Sequence, residues 1–160
     1  MPNKYHQPTS DVIELVESVM ARYHEHLEDA NIGILFRDEA PESDGHFTLG
    51  MAKKVTDEMR AAGLNYHFII WFAEDWWERL DARQREALVD HELMHCMWDG
   101  EKCKIRQHDF EEFNEIIVRH GFWRPGGHDT KQAVQQALPL ARFGKVEAVV
   151  TNGAGEKVFG

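Results

Sequence analysis

The sequence is short of several things. Its 160 residues hold no apolar run of membrane length, and the N-terminus, Met1-Pro2-Asn3-Lys4-Tyr5-His6, lacks the apolar stretch of a signal peptide. There are two cysteines, Cys96 and Cys103, too few for a disulfide framework and in keeping with a reducing compartment. The cytoplasm is therefore the expected location. Positive charge is scarce as well: 18 Lys and Arg stand against 28 Asp and Glu, a net charge of −10, with no Lys/Arg run in view. That argues against a protein that holds nucleic acid by bulk electrostatics. No internal repeat or low-complexity segment appears. What remains is an ordinary globular balance, 42% hydrophobic and 29% charged, in a chain long enough for one domain with a core.

One stretch organises the rest: Leu88-Val89-Asp90-His91-Glu92-Leu93-Met94-His95-Cys96-Met97. It contains H-E-x-x-H. On a helix, His91 and His95 lie four residues apart on one face, so both imidazoles can reach a single ion. Glu92 is one step round from His91, placed to work on a water at that ion rather than to ligate it. A five-residue pattern in a chain with ten histidines needs its context. Leu88, Val89, Leu93, Met94, Cys96 and Met97 carry no charge, as a helix buried beneath an active-site floor requires. The segment opens on Asp81-Ala82-Arg83-Gln84, a capping-box-like start, and runs without Pro or Gly to Gly100, which predicts one helix over residues 81–99. Cys96 faces away from the His91/His95 edge and reads as a small buried apolar residue.

Around it, periodicity predicts an amphipathic helix over 11–29, capped by Thr9 or Ser10, and a strand over 31–37. An acidic loop follows over 38–45, then a second strand over 47–55 that leads into a short helix near 57–60. Tyr66-His67-Phe68-Ile69-Ile70-Trp71-Phe72 is the strongest strand, dense in aromatic and β-branched residues. After Gly100, residues 102–106 read as a short strand or an irregular excursion. A helix over 109–120 stops at Gly121. Residues 129–140 read as a short helix, and 145–150 with 156–159 as a terminal hairpin or loose tail.

Two histidines are too few for a catalytic zinc site, which needs three protein ligands and one open position. The spacing excludes H-E-x-x-H-x-x-G-x-x-H, because Trp98 and Glu101 stand where Gly and His would be. Two candidates remain, His108 and Glu115, seven residues apart and on roughly one face of a shared helix. With His108 the ligands are all neutral; Glu115 would offset one metal charge and leave a bound water less acidic.

The order of elements, V-D-H-E-L-M-H-C, a gap of twelve residues and then H-D-F-E-E-F resemble the SprT-like zinc metallopeptidases. They resemble more closely the small metallopeptidases encoded in phage and prophage genomes. The resemblance spans residues 11–123. It implies His108 as third ligand, since SprT-like proteins carry theirs in H-G-x-x-F; here Asp109 replaces the Gly and one extra residue precedes Phe113. It also implies a protein or peptide substrate, a host-cytoplasm setting if phage-encoded, and a cleft-edge role for the 66–72 strand in pairing with substrate. The four-cysteine zinc ribbon of many SprT-like members has no counterpart, and the route to DNA it implies goes with it. Glu115, in Asn-Glu-Ile-Ile, is similar instead to the third-ligand helix of thermolysin-like enzymes.

The combined expectation is a single α+β zincin-like domain, a small mixed sheet packed on the metal helix with flanking helices. It comprises a core over 1–127 and a C-terminal extension over 128–160. His91, His95 and His108 hold Zn²⁺, and Glu92 is the catalytic base. On this reading Glu111, Glu112 and Glu115 form a solvated face, one of which could orient a ligand imidazole. His120, His128, Arg124 and Tyr66 are candidates for steadying an oxyanion. The five tryptophans read as core or rim. The contrasting expectation is a zinc-stabilised binding protein in which Glu115 or Cys103 closes the coordination, or a zinc hydrolase of a non-peptide amide.

Overall fold

The computed structural model describes residues 4–108 and 112–125 and the backbone of Val158–Phe159. The described chain runs β1 (Tyr5–His6), α1 (Ser10–Tyr23), a 3-10 turn (Glu25–Leu27), β2 (Ile32–Arg37), β3 (Glu42–Ser43), β4 (His46–Thr48) and β5 (Gly50–Lys54). It continues through α2 (Asp57–Ala61), β6 (Phe68–Ala73), α3 (Glu74–Trp77), α4 (Ala82–His95), β7 (Cys96–Trp98), β8 (Cys103–Ile105), α5 (Asn114–His120) and β9 (Val158–Phe159). The fold is mixed α+β. The expected extension over 128–160 lies outside the described residues, apart from β9, whose backbone pairs in parallel with β4.

The main sheet has the order β1-β2-β6-β5. β2 and β6 are parallel, with Ile34 opposite Ile70, while β1 and β5 are antiparallel to their neighbours. Helices α1 and α4 pack together, and Val12, Val16, Val19, Ile34, Phe68, Ile70, Leu88 and Leu93 share one apolar core with them. Burying these side chains is what drives the layers together.

Strand β6 is not at the cleft edge. It is hydrogen-bonded to β2 on one side and β5 on the other, and five of its six residues are buried. A strand covered on both faces reads as a continuous apolar run, and that density of Ile, Phe and Trp marks an interior strand. The edge belongs to β5. The bonds Ala73 N–H to Leu49 O (2.8 Å) and Val55 N–H to His67 O (2.9 Å) direct the odd-numbered residues of this strand toward β6. The backbone groups of Gly50, Ala52 and Lys54 therefore point away from the sheet, and among the described residues nothing pairs with them.

Helix α4 opens as the sequence predicts. Asp81 accepts from Gln84 N–H (2.8 Å), and the Gln84 side chain accepts from Asp81 N–H (3.0 Å). It ends at His95, four residues before the predicted end at 99. Cys96–Trp98 turn extended and pair antiparallel with β8, so the apolar run that seemed to prolong the helix is the first strand of a hairpin. Its turn is built on Asp99, which accepts from the N–H groups of Glu101 (2.9 Å) and Lys102 (2.8 Å), and on Gly100 at φ +95°. That conformation is cheap only for glycine. The hairpin brings the chain back to its start: Arg106 N–H donates to His95 O at 2.7 Å. Helix α5 is likewise shorter than predicted, beginning at Asn114, and it stops at Gly121 at φ +66° as expected.

Candidate metal centre

Three side chains meet where the hairpin closes. His108 Nε2 lies 3.0 Å from His91 Nε2 and 2.9 Å from His95 Nε2. Their tautomers are set from behind. His91 Nδ1–H donates to the Glu112 carboxylate, and His95 Nδ1–H donates to the Arg106 carbonyl at 2.7 Å. With the Nδ1 protons committed, the Nε2 atoms of both rings present lone pairs. Burial, then the neighbouring His91 and His95, push the His108 imidazole down to about 3, so its ring is neutral. Three imidazole nitrogens converging on one point repel unless a cation lies between them. This donor set fits a divalent metal ion. Among the described residues no fourth His, Cys, Asp or Glu joins the group.

Glu92 stands beside it. The side chain is fully buried, and neither carboxylate oxygen has a hydrogen-bond partner among the described residues. An uncompensated buried carboxylate is costly and calls for a ligand or a function. Burial pushes its carboxyl up to about 7, against the opposing pull of His91 and Arg124. A group that must both take and give a proton near neutral pH needs a value of this kind. The start of β5 passes directly over it. A Cβ at Gly50 would sit 3.1 Å from Glu92 Oε2 and 3.1 Å from the Trp71 carbonyl oxygen, so only glycine lets the edge strand approach this closely.

Glu115 is not part of the centre. Its carboxylate pairs with Arg106 at 2.8 Å and 3.3 Å, and α5 begins too late to carry His108 and Glu115 on one face. The carboxylate that matters is Glu112, which is buried. It accepts from His91 Nδ1–H, from Phe113 N–H (2.9 Å) and from Trp123 Nε1–H (3.0 Å), with Arg124 Nη2 at 3.5 Å. Burial would raise it, but the charges of His91 and Arg124 hold it at about 2. It thereby fixes the His91 ring and makes that imidazole a stronger donor. Glu112→Gln should keep the fold yet loosen metal binding by about 10–100-fold, read by competition with a chelator. Unchanged affinity would remove Glu112 from the site.

The oxyanion candidates separate. Arg124 Nη2 reaches 3.4 Å from His91 Nε2. His120 is buried and donates to Asp90 at 2.8 Å, which makes it structural. Tyr66 packs its ring against Gly33 of β2. His128 lies outside the described residues. Trp71, Trp77 and Trp123 are buried in the core, and Trp123 has the further bond to Glu112. Cys96 is buried, its thiol pushed up by burial and its Sγ 3.7 Å from the Glu92 carbonyl, as an apolar filler would be. A second group, His6 with Asp38 and Glu74, also clusters, but the carboxylates bond opposite nitrogens of one imidazole, so no lone pairs converge.

A family model described as "Putative phage metallopeptidase" matches residues 4–138. The chain belongs to that family. No curated protein and no solved structure matches the chain. Membership in a metallopeptidase family implies a metal, and the His91/His95/His108 group is where this member could hold it. Among the described residues no helix is long and apolar enough to cross a membrane.

Proposed function

We propose that this protein is a zinc-dependent metallopeptidase in which His91, His95 and His108 hold the ion and Glu92 moves the proton. The observation that carries the reading is the convergence of three imidazole nitrogens beside a buried carboxylate with no partner among the described residues. Bound Zn²⁺ would supply Lewis acidity, acidifying a water and polarising the scissile carbonyl. Three ligands leave the open position this chemistry needs, and Glu115 and Cys103, turned to Arg106 and Arg60, leave it open.

Glu92 takes the proton of the attacking water and passes it to the departing amine, so the carboxylate is regenerated in each cycle. The outward backbone of β5 offers donors and acceptors to an extended peptide beside that carboxylate. Arg124 is positioned to face the negative charge that develops on the carbonyl oxygen.

Elemental analysis of the wild type, His108→Ala and Glu115→Ala, each then assayed on unfolded casein, tests the assignment. The expected result is one zinc per chain with chelator-sensitive cleavage, zinc lost in His108→Ala and kept in Glu115→Ala. Zinc retained in His108→Ala and lost in Glu115→Ala would overturn the ligand set. Tight zinc with no cleavage would replace the enzyme by a binding protein.

A further inference from the structure

Five lysines fall in the described residues (Lys4, Lys53, Lys54, Lys102 and Lys104), and three of them gather at one cavity. Lys53 and Lys54 end β5, while Lys102 and Lys104 flank Cys103 on the hairpin that follows α4. Lys54, Lys102 and Lys104 line one cavity of about 360 Å³. All four lysines are exposed, and among the described residues none is in an ion pair. The one carboxylate lining the cavity, Asp57, is held by Arg60, whose other contacts are the Val55 carbonyl (2.8 Å) and Cys103 Sγ (3.5 Å). In a chain of net charge −10, this is a concentrated positive site, offset on its hairpin side by Asp99 beside Lys104.

Its place on β5 gives it a use. Side chains alternate along a strand, so Gly50, Ala52 and Lys54 share a face. Gly50 abuts Glu92 and Lys54 ends the strand beside the cavity, so a peptide paired along the free β5 edge runs from the carboxylate to the lysines. Four residues at roughly 3.3 Å each put Lys54 about 13 Å from the reacting centre. A peptide pairs most stably with a free edge in the antiparallel sense. Because β5 runs away from Glu92, the part of such a peptide beside Lys54 is the part that precedes the scissile bond.

We propose that the Lys54/Lys102/Lys104 cavity is a specificity site for acidic side chains about three to five residues N-terminal to the bond that is cut. The proposal rests on the peptidase reading and names its substrate class: unfolded or extended segments with Asp or Glu upstream of the cleavage point. A compact cavity at the end of the free β5 edge fits a few carboxylates of a peptide paired with that strand. An extended phosphate backbone would instead call for a longer basic stripe.

The test pairs cleavage with binding. Peptides carrying Glu, Ala or Lys at those upstream positions are cut by the zinc-loaded wild type and by the Lys54→Glu/Lys102→Glu/Lys104→Glu variant. The wild type should favour Glu over Lys peptides by at least about tenfold, less so as salt is raised, and the variant should reverse the order. An equal ratio in both proteins overturns the proposal. If neither cuts any peptide, the peptidase reading has failed, and anisotropy of a labelled Glu-rich peptide decides the site by itself. Salt-sensitive binding confined to the wild type upholds it. Equal binding to both proteins, or tighter binding of a single-stranded oligonucleotide at the same ionic strength, rejects it.

Discussion

Glu92→Gln should leave the protein folded and loaded with metal while lowering kcat by about 10²–10⁴-fold, the range that removal of a positioned general base produces. The substitution is nearly isosteric, so the cavity beneath Gly50 keeps its filling. The amide also removes a buried charge that has no partner, so the variant should be at least as stable as the wild type. What it loses is the ability to accept a proton. Metal content is the control that gives the result meaning, because Glu92 is not among the converging donors, and its loss should leave stoichiometry at the wild-type value. Activity within tenfold of wild type would mean that another group takes the proton. Loss of metal together with activity would mean that Glu92 is a ligand.

Helix α4 and the pairing of His91 with His95 were legible because their signals are local, while His108 came with the family resemblance. Residue spacing puts His91 and His95 on one face, and Asp81 with Gln84 marks where the helix begins. The route by which His108 arrives was harder to read. Cys96-Met97-Trp98 continues the apolar character of the helix, and its own propensity does not say that β8 will claim it. The available signal was Asp99-Gly100, a turn pair that ends one strand and starts the next. Glu112 was one of three carboxylates in a row of polar residues, and choosing among them needed the position of the His91 ring. Gly50 carried no mark at all, since its meaning is the distance to a side chain forty-two residues away. The edge role of the 66–72 strand came with the resemblance and not from its residues. Density of aromatic and β-branched residues shows that a strand is buried, and burial on both sides is what an edge lacks.

Asp90 gave a signal of another kind, a carboxylate inside a helix whose neighbours are all buried. It accepts from His24 Nε2–H at 2.6 Å, His120 Nε2–H at 2.8 Å and Arg119 Nη1 at 2.8 and 2.9 Å. Those donors come from the end of α1 and from α5, so a single residue ties both elements to α4 next to His91. Asp90→Ala should therefore lower the free energy of unfolding by about 3–5 kcal/mol at neutral pH, the cost of leaving Arg119 without its counter-ion and two buried imidazoles without their acceptor. In a domain whose total stability is about 5–15 kcal/mol, that is a shift large enough to see in any denaturant titration.

The pH dependence follows from the direction of the shift. Burial alone would raise the Asp90 carboxyl, but the bonds from His120, His24 and Arg119 outweigh it and hold it well below the ordinary carboxylate range. A group depressed in the folded state contributes its stability above the unfolded pKa of about 3.9 and loses it as pH falls toward the folded value. The wild type should accordingly lose stability more steeply than Asp90→Ala below about pH 4, and the difference between them should be flat from there to neutrality. Denaturation monitored by circular dichroism from pH 3 to pH 8 measures both quantities. A loss under 1 kcal/mol at neutral pH, or parallel acid limbs for the two proteins, would mean that His24, Arg119 and His120 are held in place by packing and that Asp90 merely fills the space between them.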